Sequence, residues 1–196
     1  SVGGNAVNLV GGTVTVNNGT ITITQDPAFN NTTSLVGGAT NVKLAAYKIT
    51  SYGEDVKVTS LSFQPTFTAM TPGNNSLANV GVYVNGGQVS SNQTAVSGTA
   101  LVYNNLGTNL LIGAGQTVTV EIRGDVMSST STNYTAGSIK FDINATANSV
   151  QGISSSNLTT NPTAGGQTLS VASTNVTFAA TSGFSASTKA PNQTGV

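Results

Sequence analysis

The stretch "GGTVTVNNGTITITQDP", residues 11 to 27, places apolar residues two apart on both sides of Asn18-Gly19. This alternation predicts strands with one apolar face, because successive side chains of a strand point to opposite sides. Asn and Gly both tolerate the positive φ angles of a two-residue hairpin loop. Taken alone, the stretch therefore predicts a hairpin in which Val16 faces Ile21 and Val14 faces Ile23.

A second stretch, "GGQTLSVASTNVTFAAT" at 165 to 181, resembles the first. Its linker, residues 172–175, has no glycine, and the β-branched Thr174 disfavours a tight turn with positive φ. Both copies instead share a change of apolar face at the linker, which arises when a strand breaks and continues in another sheet. We therefore expect each copy to pass from one packing unit to the next, while a simple hairpin stays open for the first copy.

A shift of 155 positions aligns four pairs of apolar residues, which we predict to form the strands that join subunits: Val14 with Leu169, Val16 with Val171, Ile21 with Val176, and Ile23 with Phe178. The repeat also predicts the organisation of the chain. We expect an extended linking β segment at 1–41, a β-sandwich module at 42–164, and a C-terminal β segment at 165–196 that repeats the N-terminal motif. A unit with equivalent ends is suited to joining head to tail.

The rest of the chain alternates in the same way, as in "GVYV", "QTVTVEI" and "SIKFDINA", with turn signals such as "TPGNN" and "GAG" between. The region 41–160 then holds about seven strands, which predicts an antiparallel immunoglobulin-like β-sandwich with extended terminal strands. The strands are predicted near 13–16, 20–24, 41–50, 55–63, 66–70, 79–84, 99–103, 116–122, 138–145, 167–171 and 175–179.

Charged residues make up only 6% of the chain, six basic and six acidic, and Cys, His and Trp are absent. Dispersed basic residues do not form the positive surface that nucleic acids require. No apolar run approaches the roughly 20 residues of a membrane-spanning helix, so we expect no membrane insertion. A neutral surface rich in Ser, Thr and Asn is typical of extracellular and cell-surface proteins, which is where we expect the chain to act.

The sequence predicts no enzyme, since it has no histidine base and no catalytic motif. We expect no catalytic residue and no cofactor. A calcium site is the one metal hypothesis, because Glu54, Asp55 and Asp125 could supply hard oxygen ligands together with loop carbonyls and Asn side chains. The alternative is that these acids cap turns or protect strand edges.

The sequence also contains Asn-X-Ser/Thr triplets, which mark glycan acceptors on exposed loops of secreted proteins. The acceptors that they predict are Asn18, Asn30, Asn74, Asn92, Asn133, Asn144, Asn157, Asn175 and Asn192. Glycans are therefore among the expected partners or modifications.

Three stretches carry a resemblance: "SLVGGATNVKLAAYKITSYGEDVKVTSLSF" at 34–63, "LANVGVYVNGGQV" at 77–89 and "IGAGQTVTVEIRGDV" at 112–126. They resemble tandem immunoglobulin-like modules of large bacterial cell-surface and S-layer-type proteins, over roughly residues 11–145. More loosely, the chain is similar to donor-strand pilins, in which a terminal strand of one subunit completes the sheet of the next. The resemblance implies a scaffold role with no catalytic residues to carry over.

These observations together predict a structural subunit of an extracellular filament, similar to a pilus or fimbria, or of a surface layer. Its partners would be copies of itself, joined head to tail into a homopolymer by β-strand addition. The alternative is a carbohydrate-binding or adhesin module, whose aromatic platform would come from Tyr47, Tyr52, Tyr83, Tyr103 and Tyr134.

Overall fold

The computed structural model describes residues 18–73 and 75–173, and over these it is all-β. The strands are β1 (Thr20–Gln25), β2 (Ser34–Val36), β3 (Val42–Tyr52), β4 (Val56–Val58), β5 (Leu61–Thr71), β6 (Ser76–Val84), β7 (Gly87–Gln88), β8 (Gln93–Val96), β9 (Leu101–Tyr103), β10 (Leu111–Ile112), β11 (Thr117–Asp125), β12 (Ala136–Asn144), β13 (Val150–Gly152), β14 (Leu158–Thr159) and β15 (Leu169–Ala172). A short 3-10 turn, Leu106–Thr108, precedes β10.

The strands form three sheets, and nearly all pairings are antiparallel. Sheet 1 has the order β1-β3-β11-β6-β7, with β8 also paired to β6. Sheet 2 has the order β2-β15-β12-β5-β9, in which β2 and β15 run parallel. Sheet 3, with the order β10-β4-β13-β14, is small and antiparallel. The predicted all-β, mainly antiparallel character is thus confirmed over the described residues.

Sheets 1 and 2 share one core, formed where their apolar faces meet. The ring centroids of Tyr47 on β3 and Phe63 on β5 are 6.3 Å apart, and the Tyr47 hydroxyl donates a hydrogen bond to the carbonyl of Phe141 on β12. Alternation accounts for this packing, because Ile139, Phe141 and Ile143 share one face of β12 and all are buried. The two sheets therefore face each other as the layers of a sandwich.

The predicted strands at 55–63 and 66–70 differ from the observed ones. Here β4 belongs to sheet 3, whereas β5 in sheet 2 runs without a break through Pro65. The Pro65 carbonyl accepts from the amide of Gly98, on the side of β5 away from β12. Since the nitrogen and carbonyl of one residue face the same side in an antiparallel ladder, the missing N–H of Pro65 costs no bond to β12.

The chain enters and leaves this body at opposite ends. At one end, which we call the N pole, β1 begins with Thr20 paired to Tyr52, the last residue of β3. At the other, the C pole, β15 ends with Ala172 beside Val36. The turn after β2 lies close to the start of β3. The Val126 amide, just after β11, donates to the carbonyl of Ala39 in this turn, and the end of β11 pairs with Val42 at the start of β3. The poles are therefore separated by the length of β3, about 33 Å.

The outer parts of the chain are built into these sheets as far as they are described. β1 and β2 lie within the predicted segment 1–41, yet they pair with β3 and β15. β15 lies within the predicted segment 165–196 and pairs with β12. The division of the chain into three segments stays a prediction, and residues 18–173 share one core.

Candidate functional site at the two poles of the body

The first repeated stretch contributes its second half to sheet 1. Ile21 and Ile23 lie on β1 and are 8% and 7% exposed. They pair in register with Ser51 and Ile49 of β3, so their side chains enter the shared core. Val14 and Val16, which form the first half of the same stretch, lie outside the described residues.

The second repeated stretch contributes its first half to sheet 2. Leu169 and Val171 lie on β15 and are 0% and 5% exposed. β15 is held on one side by β12 and on the other by β2, so this half is an inner strand of its sheet. Val176 and Phe178, the other half of this stretch, lie outside the described residues.

One body thus uses complementary halves of the two copies. It takes the Ile21/Ile23 half from the first copy and the Leu169/Val171 half from the second. These halves lie in different sheets, on opposite sides of the core. The change of apolar face within one copy stays a prediction, because the other half of each copy lies outside the described residues.

A carboxylate holds the chain where it reaches β1 at the N pole. Glu54 accepts hydrogen bonds from the amide of Gly19 at 3.0 Å and from the amides of Ser154 and Ser155 at 2.7 and 2.9 Å. The Ser155 hydroxyl also donates to it. Because the Ser155 side chain, followed by these amides, favours the charged form, the pKa of Glu54 falls from 4.5 to about 2. Asn157 adds a side-chain bond to Asn18 at 2.6 Å.

At the C pole, two glycines hold the turn between β2 and β3 against the rest of the body. The Gly37 amide donates to the carbonyl of Ala172 at 2.9 Å, and the Gly38 amide donates to Val126 at 2.9 Å. A side chain at Gly37 would collide with the backbone carbonyl of Tyr134. Gly38 has a φ of +81°, which other residues rarely adopt. The "VGGATNV" stretch therefore needs glycine at both positions.

A charged cluster lies on the outer face of sheet 1. Lys43 and Arg123 each approach Glu121 to 2.6 Å, and the Arg123 guanidinium lies 5.0 Å from the centre of the Tyr83 ring. Burial by itself would raise the pKa of Glu121, but hydrogen bonds and charge from Lys43 and Arg123 lower it overall. A bulge between Ile122 and Arg123 brings the two cations to one face. The cluster is internally satisfied and fixes β3 to β11.

The structure does not bring the three calcium candidates together. Glu54 and Asp55 lie at the N pole, where Asp55 accepts from the amide of Ala114 at 2.8 Å. Asp125 lies at the C pole, where it accepts from the amide of Asn41 at 2.8 Å. Within residues 18–73 and 75–173, no group of three or more His, Cys, Asp or Glu side chains is arranged to hold a metal ion. Glu54, Asp55 and Asp125 each accept hydrogen bonds from backbone amides of turns or loops.

Most of the tyrosines are part of the interior. Tyr47, Tyr103 and Tyr134 are 0 to 2% exposed, whereas Tyr52 is 50% exposed and Tyr83 is half-buried. Burial, aided for Tyr47 by the charge of Asp142, raises the pKa of Tyr47 and Tyr103. Since Tyr52 lies at the end of β3 and Tyr83 stacks on Arg123, the five rings do not form one platform for a sugar.

The described glycan acceptors are mostly on the surface. Five of them are exposed, Asn144 on β12 is half-buried, and the remaining three lie outside the described residues. The exposed set is Asn18, Asn30, Asn92, Asn133 and Asn157, and the three outside are Asn74, Asn175 and Asn192.

Comparison of the chain with protein-family models, with curated proteins and with solved structures finds no match. No helix in the described part of the chain is long and apolar enough to cross a membrane. The functional argument therefore depends on the geometry of the two poles.

Proposed function

We propose that this chain is a structural unit of an extracellular filament or surface layer, in which immunoglobulin-like bodies join head to tail. The observation that carries the proposal is that the body contains the second half of the first repeated stretch and the first half of the second one. The body holds Ile21 and Ile23 from one copy and Leu169 and Val171 from the other. The other half of each copy, Val14 and Val16 or Val176 and Phe178, has a matching apolar pattern and lies outside the described residues, and we assign it to the joint with a neighbouring body.

The order of the strands supports an immunoglobulin-like body. Sheet 1 begins β1-β3-β11-β6, and sheet 2 contains β15-β12-β5. Named in chain order, these correspond to the A-B-E-D and G-F-C orders of a constant-type immunoglobulin sandwich. The Cys and Trp that mark antibody domains are absent from this chain. We infer the architecture from strand order alone.

The joint works by β-strand addition. In this body β15 already lies beside β12 and β1 already lies beside β3, so the remaining half of a repeated stretch would add at an edge of a neighbouring body's sheet, such as the outer side of β1 or β2. Backbone hydrogen bonds hold the added strand, while alternate apolar side chains enter the core. Because the chain enters at the N pole and leaves at the C pole, successive bodies line up along one axis.

The surface supports an extracellular, laterally packed assembly. Near the N pole, away from the charged cluster, the outer face of sheet 1 presents threonines, and Thr50 and Thr117 bond to each other across β3 and β11 at 2.7 Å. Thr22 lies in the same row, opposite Thr50 on β1. Neutral hydroxyl surfaces of this kind do not repel one another, so adjacent filaments can approach closely.

Charge placed on the joining face tests the proposal. The double variant Val14→Asp/Val16→Asp should stop the chain from forming linear oligomers, because its joining strand can no longer enter an apolar core. The matched control Thr13→Asp/Thr15→Asp places the same charges on the opposite face of that strand and should still assemble. Assembly is measured by light scattering and negative-stain electron microscopy. Linear oligomers from the first variant, or monomers from the unchanged chain, would exclude the joint.

A further inference from the structure

The path of the chain between the poles also has a mechanical consequence. Tension applied between the two ends of the chain pulls the body at the N pole and at the C pole. At the N pole the force acts on β1, whose six residues pair antiparallel with β3 from Thr20 to Gln25. The pull is directed along β1, so it acts on all of these pairs together.

The next element in the path is the parallel pair of β2 and β15. Ser34, Leu35 and Val36 lie opposite Ser170, Val171 and Ala172, and both strands run towards the C pole. β2 is connected through residues 26–33 to β1, so tension draws it towards the N pole. β15 leads out of the body, so tension draws it towards the C pole. The two strands are therefore loaded in opposite directions along their common axis.

Specific contacts oppose this sliding. The amide of Ser170 donates to the carbonyl of Thr33 at 2.8 Å, and the amide of Gly37 donates to Ala172 at 2.9 Å. Leu35 and Val171 are both buried, so sliding would also draw apolar side chains out of the core. A Cβ built at Gly37 would meet the Tyr134 carbonyl, so the turn that follows β2 packs closely against this backbone.

We propose that this body is a load-bearing unit, in which the parallel β2–β15 pair, with β1–β3 before it, resists tension by shear. In shear all hydrogen bonds of a pair are strained at once, whereas in peeling they break one after another. This inference concerns the isolated body and does not depend on the joint described above. Single-molecule pulling tests this inference, whereas the formation of oligomers tests the joint, so a negative result in one experiment leaves the other proposal unaffected.

Single-molecule pulling tests the proposal with two variants that differ only in the positions of the two attachment cysteines, and therefore in the direction of the force. The chain has no cysteine, so introduced cysteines are unique attachment points. Handles on Ser1→Cys/Val196→Cys load the β2–β15 pair in shear. Handles on Thr33→Cys/Thr168→Cys, both exposed, pull at the adjacent starts of β2 and β15 and peel them apart. We expect a severalfold higher rupture force in the first direction, and equal forces would overturn the proposal.

A pair of proline variants locates the resistance. Ser170→Pro removes the bond to Thr33, and Val89→Pro removes the bond from the Val89 amide to Val82, which lies outside the force path. Under constant force, the loss of one bond should speed unfolding of Ser170→Pro about tenfold. Val89→Pro should lower thermal stability and leave the forced unfolding rate near that of the unchanged chain. A Ser170→Pro rate equal to that of the unchanged chain would exclude β2–β15 as the clamp.

Discussion

The carboxylate of Glu54 and the backbone amide of Gly19 are 35 positions apart in sequence and 3.0 Å apart in the structure. The same carboxylate binds the loop at Ser154 and Ser155. One side chain therefore fixes the start of β1, the end of β3 and the loop after β13 to each other at the N pole.

Glu54→Gln should lower the melting temperature at pH 7, because an amide cannot accept all of the bonds that the carboxylate accepts. The folded pKa of Glu54 is about 2, below its ordinary 4.5, so the charged form stabilises the folded state above pH 4.5. This contribution is lost as the pH falls from about 4.5 towards 2. Thermal melts across this window should show the unchanged chain losing stability and approaching the variant. Asp55→Asn removes a neighbouring charge, and because the Asp55 carboxylate accepts one bond, from the Ala114 amide, which an Asn oxygen can still accept, it should change the melt less.

Gly37→Ala should destabilise the body by about 1–3 kcal/mol, because the added methyl group meets the Tyr134 carbonyl and the backbone must move. Chemical denaturation measures the loss. Gly73→Ala is the matched control, since a methyl group there meets no atom within 4 Å. Equal stability of the two variants would show that the turn after β2 has room to adjust.

Asn161→Ala should cost about 3 kcal/mol, more than other surface-loop substitutions. The Asn161 side chain is buried, accepts from Thr146 N and Ser149 Oγ at 3.0 and 2.8 Å, and donates to Asn144 O at 3.0 Å. Its removal takes away the acceptor of the Thr146 amide and a donor to Asn144 O, whereas Ser149 Oγ keeps its bonds with Thr146 O and the Asn161 amide. Asn157→Ala, at an exposed site with a single bond from its side-chain amide, should cost far less by the same denaturation measurement.

The rise in tyrosinate absorbance should be incomplete at pH 11 as long as the chain stays folded. Burial raises the pKa of Tyr47 and Tyr103, so both stay neutral there, and folding loses stability as the pH rises above 10. Unfolding the chain in urea at the same pH should expose these two rings and add the missing tyrosinate absorbance. In the double variant Tyr47→Phe/Tyr103→Phe, the part of the absorbance that appears only in urea should be smaller than in the unchanged chain. A complete rise in the folded, unchanged chain would contradict the burial of these two rings.

The long strands were predictable from alternation, whereas most of the short ones were not, β9 (Leu101–Tyr103) being an exception that was predicted near 99–103. β11 and β12 place Val120, Ile122, Ile139 and Phe141 on buried faces, as the period of two predicted. Strands of two or three residues, such as β13 and β14, have no room for a pattern and are set by neighbours in sheet 3. β2 was missed for the same reason, although it decides how β15 is held.

The candidate site was predictable in its apolar residues and not in its polar ones. Ile21 and Leu169 follow from the repeat, since they are part of an alternating pattern. Glu54 was weighed as a calcium ligand, because sequence spacing cannot show that a loop 100 positions later would bind it. Asn161 is one of many Asn residues, and its burial depends on the tertiary fold alone.

The separation of the poles determines how much longer one body becomes when it unfolds. Folded, residues 18–173 span about 33 Å along β3, whereas the same stretch drawn out fully would reach about 500 Å. In a filament of linked bodies, each body that unfolds would therefore become more than ten times longer. Tension would reach the covalent backbone only after the last body had unfolded.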